Sequence, residues 1–314
     1  MIRVSVQIVT YNSEKDINDC IEAVIKQTFP PSEIIVVDNA SMDGTWEKLV
    51  QLKDVKIVKN DKNVGFAGAH NQAIRLTKSD YVFILNPDVT LHPDYLLHLV
   101  QFLESNVEFG SATGLLLRKS LEPIIDSTGI RMFKNRRAID RGSGEDPIQY
   151  QANSEVFGVS GAAALYKRSM IDDISWKGQF FDEDFFAYKE DVDVAWRARL
   201  FGWKAYYQSR AIAYHERGWK EGTRLSKPLF LRRHSYINRY KMMVKNENWK
   251  QLIFHLPYIF PFELASMGYT LLRDPKVLSA WRTLWRNYPN LLAKRAWVQE
   301  QRRVPFQEVY QHFD

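Results

Sequence analysis

Tyr81-Val82-Phe83-Ile84-Leu85-Asn86-Pro87-Asp88 is the stretch on which the fold turns. Five apolar residues followed by Asn-Pro-Asp read as a short strand, buried on both faces, that ends in a polar turn. A strand apolar on both sides belongs in a sheet covered by helices on both faces. Moving towards the N-terminus, the same alternation repeats. Residues 4–9 form a β-branched strand, and Ser13 offers an N-cap for a helix to about residue 28, closed by Pro30-Pro31. A second apolar strand at 33–38, a short helix at 44–52, a third strand at 55–59 and a helix at 66–77 lead back to 81–85. Crossovers of this length imply an α/β, Rossmann-like, mostly parallel central sheet flanked by helices. Ligands in such sheets gather beyond the carboxyl ends of the strands. Those ends read Thr10-Tyr11-Asn12, Asp38-Asn39 and Asn86-Pro87-Asp88, which are polar, carry carboxylates and are clustered by topology alone.

Towards the C-terminus a helix is expected at 94–104 and hairpins and loops over 118–153. A strand follows at 157–166, with Gly158 and Gly161 permitting close approach. An acidic, aromatic loop at 180–188 precedes a helix at 191–201, and strands at 204–207 and 211–215 follow. Asp88, just past a buried strand, is placed to hold a hard divalent cation, although Asn-Pro-Asp is also common turn chemistry. Glu190-Asp191, with Asp193, opens a helix. Acids there stabilise the helix dipole. With Asp182, Glu183 and Asp184 just upstream, the region is more acidic than capping requires, and a general base for a hydroxyl proton is the sharper reading. His215 closes an apolar strand; a lone histidine is more often structural than a ligand. Arg217, Lys220 and Arg224, with Gly218 and Gly222, have the composition of a mobile cationic loop that could close over phosphates.

Hydrophobic residues make up 45% and charged residues 25% of the 314, which excludes a disordered chain. A single cysteine, Cys20, rules out an internal disulfide and points to a reducing, cytosolic compartment. The opening run reads as a strand, so no signal peptide is expected, and the charge-free stretch 251–262 is too short to span a bilayer. The net charge of +6 is uneven: residues 217–304 carry 18 Lys/Arg against 5 Asp/Glu, a balance of +13, and leave −7 on the rest. Helices over 229–244, 249–272 and 277–297 mix these cations with Trp and Tyr, as do helices that lie in a membrane interface. The alternative is that they dock on the body of the protein or on a second copy, as a homodimer. The acidic cleft region opposes nucleic acid as a partner, and the turn Thr-Tyr-Asn-Ser at 10–13 lacks the glycine fingerprint of NAD enzymes.

Val-Thr-Tyr-Asn at 9–12, Val-Val-Asp-Asn-Ala-Ser at 36–41, Asn-Val-Gly-Phe-Ala at 63–67, Leu-Asn-Pro-Asp-Val at 85–89, Phe-Gly-Val-Ser-Gly-Ala at 157–162 and the stretch 181–199 occur in one order. Together they resemble the inverting glycosyltransferases of family 2, nearest the rhamnosyltransferase-like branch of bacterial cell-surface polysaccharide synthesis. The resemblance implies an A-type glycosyltransferase fold, Mg²⁺ or Mn²⁺, and a nucleotide-sugar donor, dTDP-rhamnose first and a UDP-sugar second. It implies a lipid-linked or glycan acceptor and a cytoplasmic protein, peripheral on the inner face of the cell membrane. Residues 1–225 would be catalytic, with 1–90 for the nucleotide and 91–225 for acceptor and catalysis, and 226–314 the helical extension. By position, Thr10, Tyr11, Asn12, Asp38, Asn39, Asn63, Gly65, Asn71, Asn86 and Asp88 match donor-binding residues. Asp88 and His215 match metal ligands, and Asp191, with Glu190 beside it, matches the catalytic base. Asn86 replaces the first acid of the family's metal motif. A catalytically inactive nucleotide-sugar or glycan-binding protein is the alternative.

Overall fold

The β-branched runs at the start of the chain form the parallel strands expected of them. The computed structural model describes residues 2–120, 122–216 and 224–314. In order come β1 (Val4–Thr10), α1 (Ile17–Ile25), β2 (Glu33–Asp38), α2 (Thr45–Leu49), β3 (Val55–Lys59), α3 (Gly65–Arg75) and β4 (Tyr81–Leu85). β1 pairs in parallel with β2 and β4, and β2 with β3. Thr10 therefore lies opposite Asp38, and Ile8 opposite Leu85, so the three polar turns share one edge. Ser13 does not cap α1. Its N–H donates to Thr45 Oγ1 at 2.8 Å, joining two loops of that edge.

The second half departs from a parallel sheet. It contains β5 (Val89–Leu91), α4 (Tyr95–Ser105), β6 (Phe109–Arg118), β7 (Ile125–Ser127), β8 (Ile130–Met132), β9 (Ala138–Asp140), β10 (Ser154–Val156), β11 (Ala163–Lys167), α5 (Arg168–Ile174), α6 (Glu190–Leu200) and β12 (Lys204–His215). The sheet order is β10-β12-β6-β11-β4-β1-β2-β3, and β11 runs antiparallel to both its neighbours, so the sheet is mixed. The strand expected from 157 begins only at Ala163. A Cβ at Gly158 would fall 2.2 Å from that of Ala195, so this segment runs against α6 rather than along the sheet. The strands expected at 204–207 and 211–215 are one strand, β12, irregular between Gln208 and Ile212. Val4, Val6 and Ile8 pack with Ile17, Ile21, Leu96 and Leu99 on one face. Tyr166, Phe180, Phe181 and Trp196 fill the other.

Among the described residues, the C-terminal part contains the α-helices α7 (Leu229–Asn246), α8 (Trp249–Phe254), α9 (Leu256–Arg273), α10 (Ala280–Gln301) and α11 (Phe306–Tyr310). Met242, Val298, Val309, Tyr310 and Phe313 enter the same core as Trp196. Lys245 Nζ lies 2.7 Å from both Asp182 and Asp193, and Lys294 Nζ 2.5 Å from both Asp182 and Asp184. Arg197 adds a 2.9 Å contact to Asp193. Part of the basic excess is thus turned inward against the acids of the body. α8 and α9 differ: Phe254, Phe260, Leu264 and Leu272 are 74%, 66%, 65% and 85% exposed. Among the described residues, no helix is long and apolar enough to cross a membrane.

Candidate active site

One side of the site is built from the loops after β1 and β2, where the sequence placed the donor-binding candidates. Asp38 is fully buried; Thr10 Oγ1 donates to its Oδ1 at 2.9 Å, and the Ser41 N–H to its Oδ2 at 3.2 Å. Asn12 joins the loops, its N–H donating to Ser41 Oγ (2.9 Å) and its Oδ1 accepting from the Met42 N–H (2.8 Å). Tyr11 stands exposed beside them. Asn39 Nδ2 donates to Asn63 Oδ1 at 3.0 Å, which also accepts from the Gly65 N–H at 2.8 Å. Gly65 has φ +82°, and a Cβ there would lie 2.5 Å from the Phe186 carbonyl oxygen, so only glycine fits. Asn71 is placed apart from this group. It is fully buried inside α3, with its amide exchanging hydrogen bonds of 2.7 and 3.0 Å with the backbone of Phe181.

The loop after β4 places Asp88 beside His215. Strand β12 pairs with β5 so that His215 faces Val89, which is why residues distant in sequence meet. His215 Nε2 is 3.2 Å from Asp88 Oδ1, a buried oxygen with no other partner among the described residues. On the other side, His215 Nδ1 is 2.7 Å from Asp126 Oδ2. Burial opposes the imidazolium, but hydrogen bonds to Asp126 and Asp88 outweigh it and lift the pKa to about 9. Asp126 was not legible in the sequence: its role depends on the pairing of β7 with β6, and a lone acid among hairpins forms no motif. Asn86 donates its N–H to the Ala162 carbonyl at 2.8 Å. Arg217 and Lys220 of the expected cationic loop lie outside the described residues.

The acid pair sits at the end of a strained loop. Phe186, Tyr188 and Lys189 have φ of 61°, 72° and 69°. At Phe186 (ψ −65°) the Ala187 N–H closes a γ-turn on the Phe185 carbonyl at 2.7 Å. Such conformations cost about 1–3 kcal/mol each and persist where the surroundings over-determine them. Glu190 then opens α6, and Asp191 Oδ2 accepts the Gly161 N–H at 3.1 Å. Burial, then the charge of Asp191, pushes the Glu190 pKa up to about 8, and its Oε2 is buried without a partner among the described residues. Burial also raises Asp191; the Gly161 N–H offsets this in part and the charge of Asp140 adds to it. A cleft of about 240 Å³ opens here, lined by Asp140, Ser160, Tyr188, Glu190, Asp191 and Ser235. The wider acidity of the region has another use, because Asp182, Asp184 and Asp193 bind lysines of α7 and α10. Asp140, on β9, gave no sequence signal either.

The two halves of the site meet through adjacent residues. Ala162 accepts from Asn86 of the Asp88 turn, and Gly161 donates to Asp191. The Asp88 turn and the Asp191 carboxylate are thereby anchored to two adjacent residues at the carboxyl edge of the sheet. Three solved structures of similar architecture contain a nucleoside diphosphate or a nucleotide sugar. The chain superposes with TM-score 0.55 on S. aureus TarS 1-349 in complex with UDP, at 16% identity over 92% of both chains. GalNAc-T7 with UDP, GalNAc and Mn²⁺ gives 0.60 at 14% identity, covering 86% of this chain and 58% of that one. The mannosyltransferase PcManGT from Pyrobaculum calidifontis, with GDP-Man and Mn²⁺, gives 0.56 at 18%, covering 99% and 85%. At these identities the likeness establishes the fold. Poly-beta-1,6-N-acetyl-D-glucosamine synthase of Staphylococcus epidermidis is 25% identical over 214 residues, 67% of this chain and 49% of the relative. The Staphylococcus aureus N315 synthase is 25% identical over 207 residues, 65% and 47%, so the chain spans about half the length of these curated relatives. Residues 5–175, more than half of the sequence, match the profile of Glycosyl transferase family 2, and with the fold and the ordered turns in agreement the chain belongs to that family.

Proposed function

We propose that the protein is an inverting glycosyltransferase that moves a sugar, rhamnose in first place, from a nucleoside diphosphate to a hydroxyl of a lipid-linked or polysaccharide acceptor. The observation that supports this reading is the bridge at Gly161-Ala162, whose adjacent residues hydrogen-bond Asn86 of the Asp88 turn and the Asp191 carboxylate. Residues 1–90 serve the donor, 91–225 the acceptor and the chemistry, and 226–314 the attachment. The rhamnose preference rests on the motif resemblance; UDP and GDP-mannose in the structural neighbours supply the alternatives.

Asp191 takes the proton of the acceptor hydroxyl as its oxygen attacks the anomeric carbon from the face opposite the leaving diphosphate. One carboxylate base and no carboxylate nucleophile gives a single displacement with inversion. The site suits a divalent cation: Asp88 Oδ1 is buried with, among the described residues, His215 as its partner, and Asp126 orients that imidazole from behind. Asp88 and His215 would hold Mg²⁺ or Mn²⁺; among the described residues no group of three acids, histidines or cysteines is arranged to hold a metal ion. A cation bound there would neutralise charge on the leaving diphosphate. Asp38, Asn39, Asn63 and Gly65 shape the nucleoside side. The exposed apolar faces of α8 and α9 fit a peripheral position on the cytoplasmic face of a membrane, where a lipid-linked acceptor resides.

The test is release of nucleoside diphosphate from a panel of dTDP-rhamnose, UDP-N-acetylglucosamine, UDP-glucose and GDP-mannose, with Mn²⁺, Mg²⁺ or chelator. Metal-dependent release from one donor is expected, and Asp191→Asn should bind that donor within about twofold of wild type while losing at least about a hundredfold in rate. Tight donor binding with no release, with or without lipid-linked acceptor, would make the protein a binding module instead.

A further inference from the structure

The loop that delivers Glu190-Asp191 does not hold itself. It contains three non-glycine residues in left-handed conformations within four positions, among them a γ-turn. Conformations of this kind survive where neighbouring groups fix them. From one side the N-terminus of α3 contributes a contact, the Ala67 N–H donating to the Phe186 carbonyl at 3.2 Å. From the other side stands α7. Asn238, fully buried, directs Nδ2 at the carbonyl oxygens of Phe185 (2.8 Å), Ala187 (3.0 Å) and Tyr188 (2.8 Å). Two N–H bonds are shared among three acceptors, and three carbonyls around one nitrogen settle which end of the amide is the donor. Its own Oδ1 is buried without a partner among the described residues, an expense that packing alone would not require.

Other groups of α7 and α10 reinforce the approach to this loop. Lys241 Nζ donates to the Asp184 carbonyl, and Lys245 and Lys294 grip the Asp182 carboxylate. Lys227, just before α7, reaches the Tyr188 hydroxyl at 3.2 Å. The helical extension therefore reaches the base through the backbone that carries it.

We infer that Asn238 is a positioning residue for the catalytic base: its amide fixes the 185–189 turn so that Asp191 faces the acceptor cleft, making α7 part of the active site rather than only an attachment. This rests on Asp191 acting as the base. Asn238→Ala, in the full-length protein, should lower kcat by about a hundredfold, as misplacement of a reacting group by about an ångström does, with KM for the donor changed less than about twofold. Asn238→Gln, which keeps the donor amide, should recover at least about tenfold of that loss. Hydrogen exchange needs no substrate: amides of 185–189 should exchange on the order of tenfold faster in Asn238→Ala, while β1 and β4 stay as protected as in wild type. If Asn238→Ala does not fold, Asn238→Ser, which keeps one donor, carries the same kinetic and exchange measurements. Unchanged kcat with unchanged exchange overturns the inference, as does a loss confined to KM. Absence of turnover in wild type would instead count against the proposed function, and the exchange experiment would still decide whether Asn238 orders the loop.

Discussion

Replacing Glu190 by glutamine probes the buried acid pair through stability as well as rate. In an open chain a glutamate releases its proton near pH 4.3, about the midpoint for a solvated carboxyl. In this fold Glu190 keeps it to about pH 8, because burial and then the neighbouring Asp191 disfavour its charge. Between those values the folded state holds a proton that the unfolded state has released. Stability contributed by the neutral form is complete below the open-chain pKa and is lost as the pH rises, by about 1.4 kcal/mol per unit. From pH 5 to pH 8 the loss amounts to about 4 kcal/mol. Glu190→Gln has no such proton, so the slope disappears. Its amide meets a position where Oε2 has no partner among the described residues, and an unsatisfied buried donor costs about 1–3 kcal/mol at every pH. The variant is therefore expected to be less stable than wild type at pH 5 and more stable at pH 8. Urea unfolding at four pH values between these limits reads the crossing directly. Sugar transfer at pH 7 should stay within about threefold of wild type, since the amide mimics the neutral acid. Parallel stability curves would refute a buried, protonated Glu190, and a hundredfold fall in kcat, on the order expected for losing a base, would move that role from Asp191 to Glu190.

Asp88→Ala should abolish the dependence of donor binding on Mn²⁺ in calorimetry; metal dependence equal to wild type would remove Asp88 from the cation site. Lys294→Met leaves Asp184 with Asn290, and Asp182 with Lys245 and the Asp184 N–H, as partners, and is expected to destabilise by about 3 kcal/mol, a fall in melting temperature of roughly 6 °C. Burial opposes the charge of Asp182, but Lys245 and Lys294 hold its carboxyl well below the usual range. The stability it contributes is present above about pH 4 and lost as the pH falls through the carboxylate range, so the wild-type advantage over Lys294→Met should shrink at acid pH; a constant advantage would refute the ion pair as its source. Phe254→Asp with Leu272→Asp, at two of the most exposed positions of α8 and α9, should abolish co-flotation with phosphatidylglycerol vesicles and leave melting unchanged; undiminished flotation would place the membrane contact elsewhere, and a loss of dimer instead would identify a second copy as the occupant.

The sequence made legible what depends on near neighbours. Alternating apolar runs and turn residues located β1 to β4 and their parallel order, because crossovers of that length leave little choice. They did not reveal β11 as antiparallel, since five apolar residues carry no direction and only its register with β4 and β6 supplies one. The site divides in the same way. Asp88 and Asp191 lie in local motifs that a linear reading can pick out. Asp126 acts on a histidine 89 positions away and Asn238 on carbonyls 50 to 53 positions away, so neither forms a pattern that a linear reading could detect.

Net charge shows the same limit from a different direction. The +13 of residues 217–304 is a sum that carries no information about which side chains find internal partners. Lys245 and Lys294 meet Asp182, Asp184 and Asp193, Arg232 meets Asp274, and Arg239 meets Glu263. The two lysines spend cationic charge inside the protein, where it secures α7 and α10 against the loop that carries Glu190 and Asp191, whereas the two arginine pairs are internal to the C-terminal segment. What α8 and α9 present outward is chiefly Leu, Phe, Ile, Tyr and Trp. Attraction to a bilayer through such a face comes from apolar burial more than from anionic headgroups and is correspondingly less sensitive to salt. The helices that would rest on the membrane and the helix that steadies the base are consecutive in sequence, with two residues between α7 and α8. On the proposed function, attachment and base positioning would share one continuous segment, and removing it to obtain a membrane-free catalytic domain would also remove Asn238 from the carbonyls it holds.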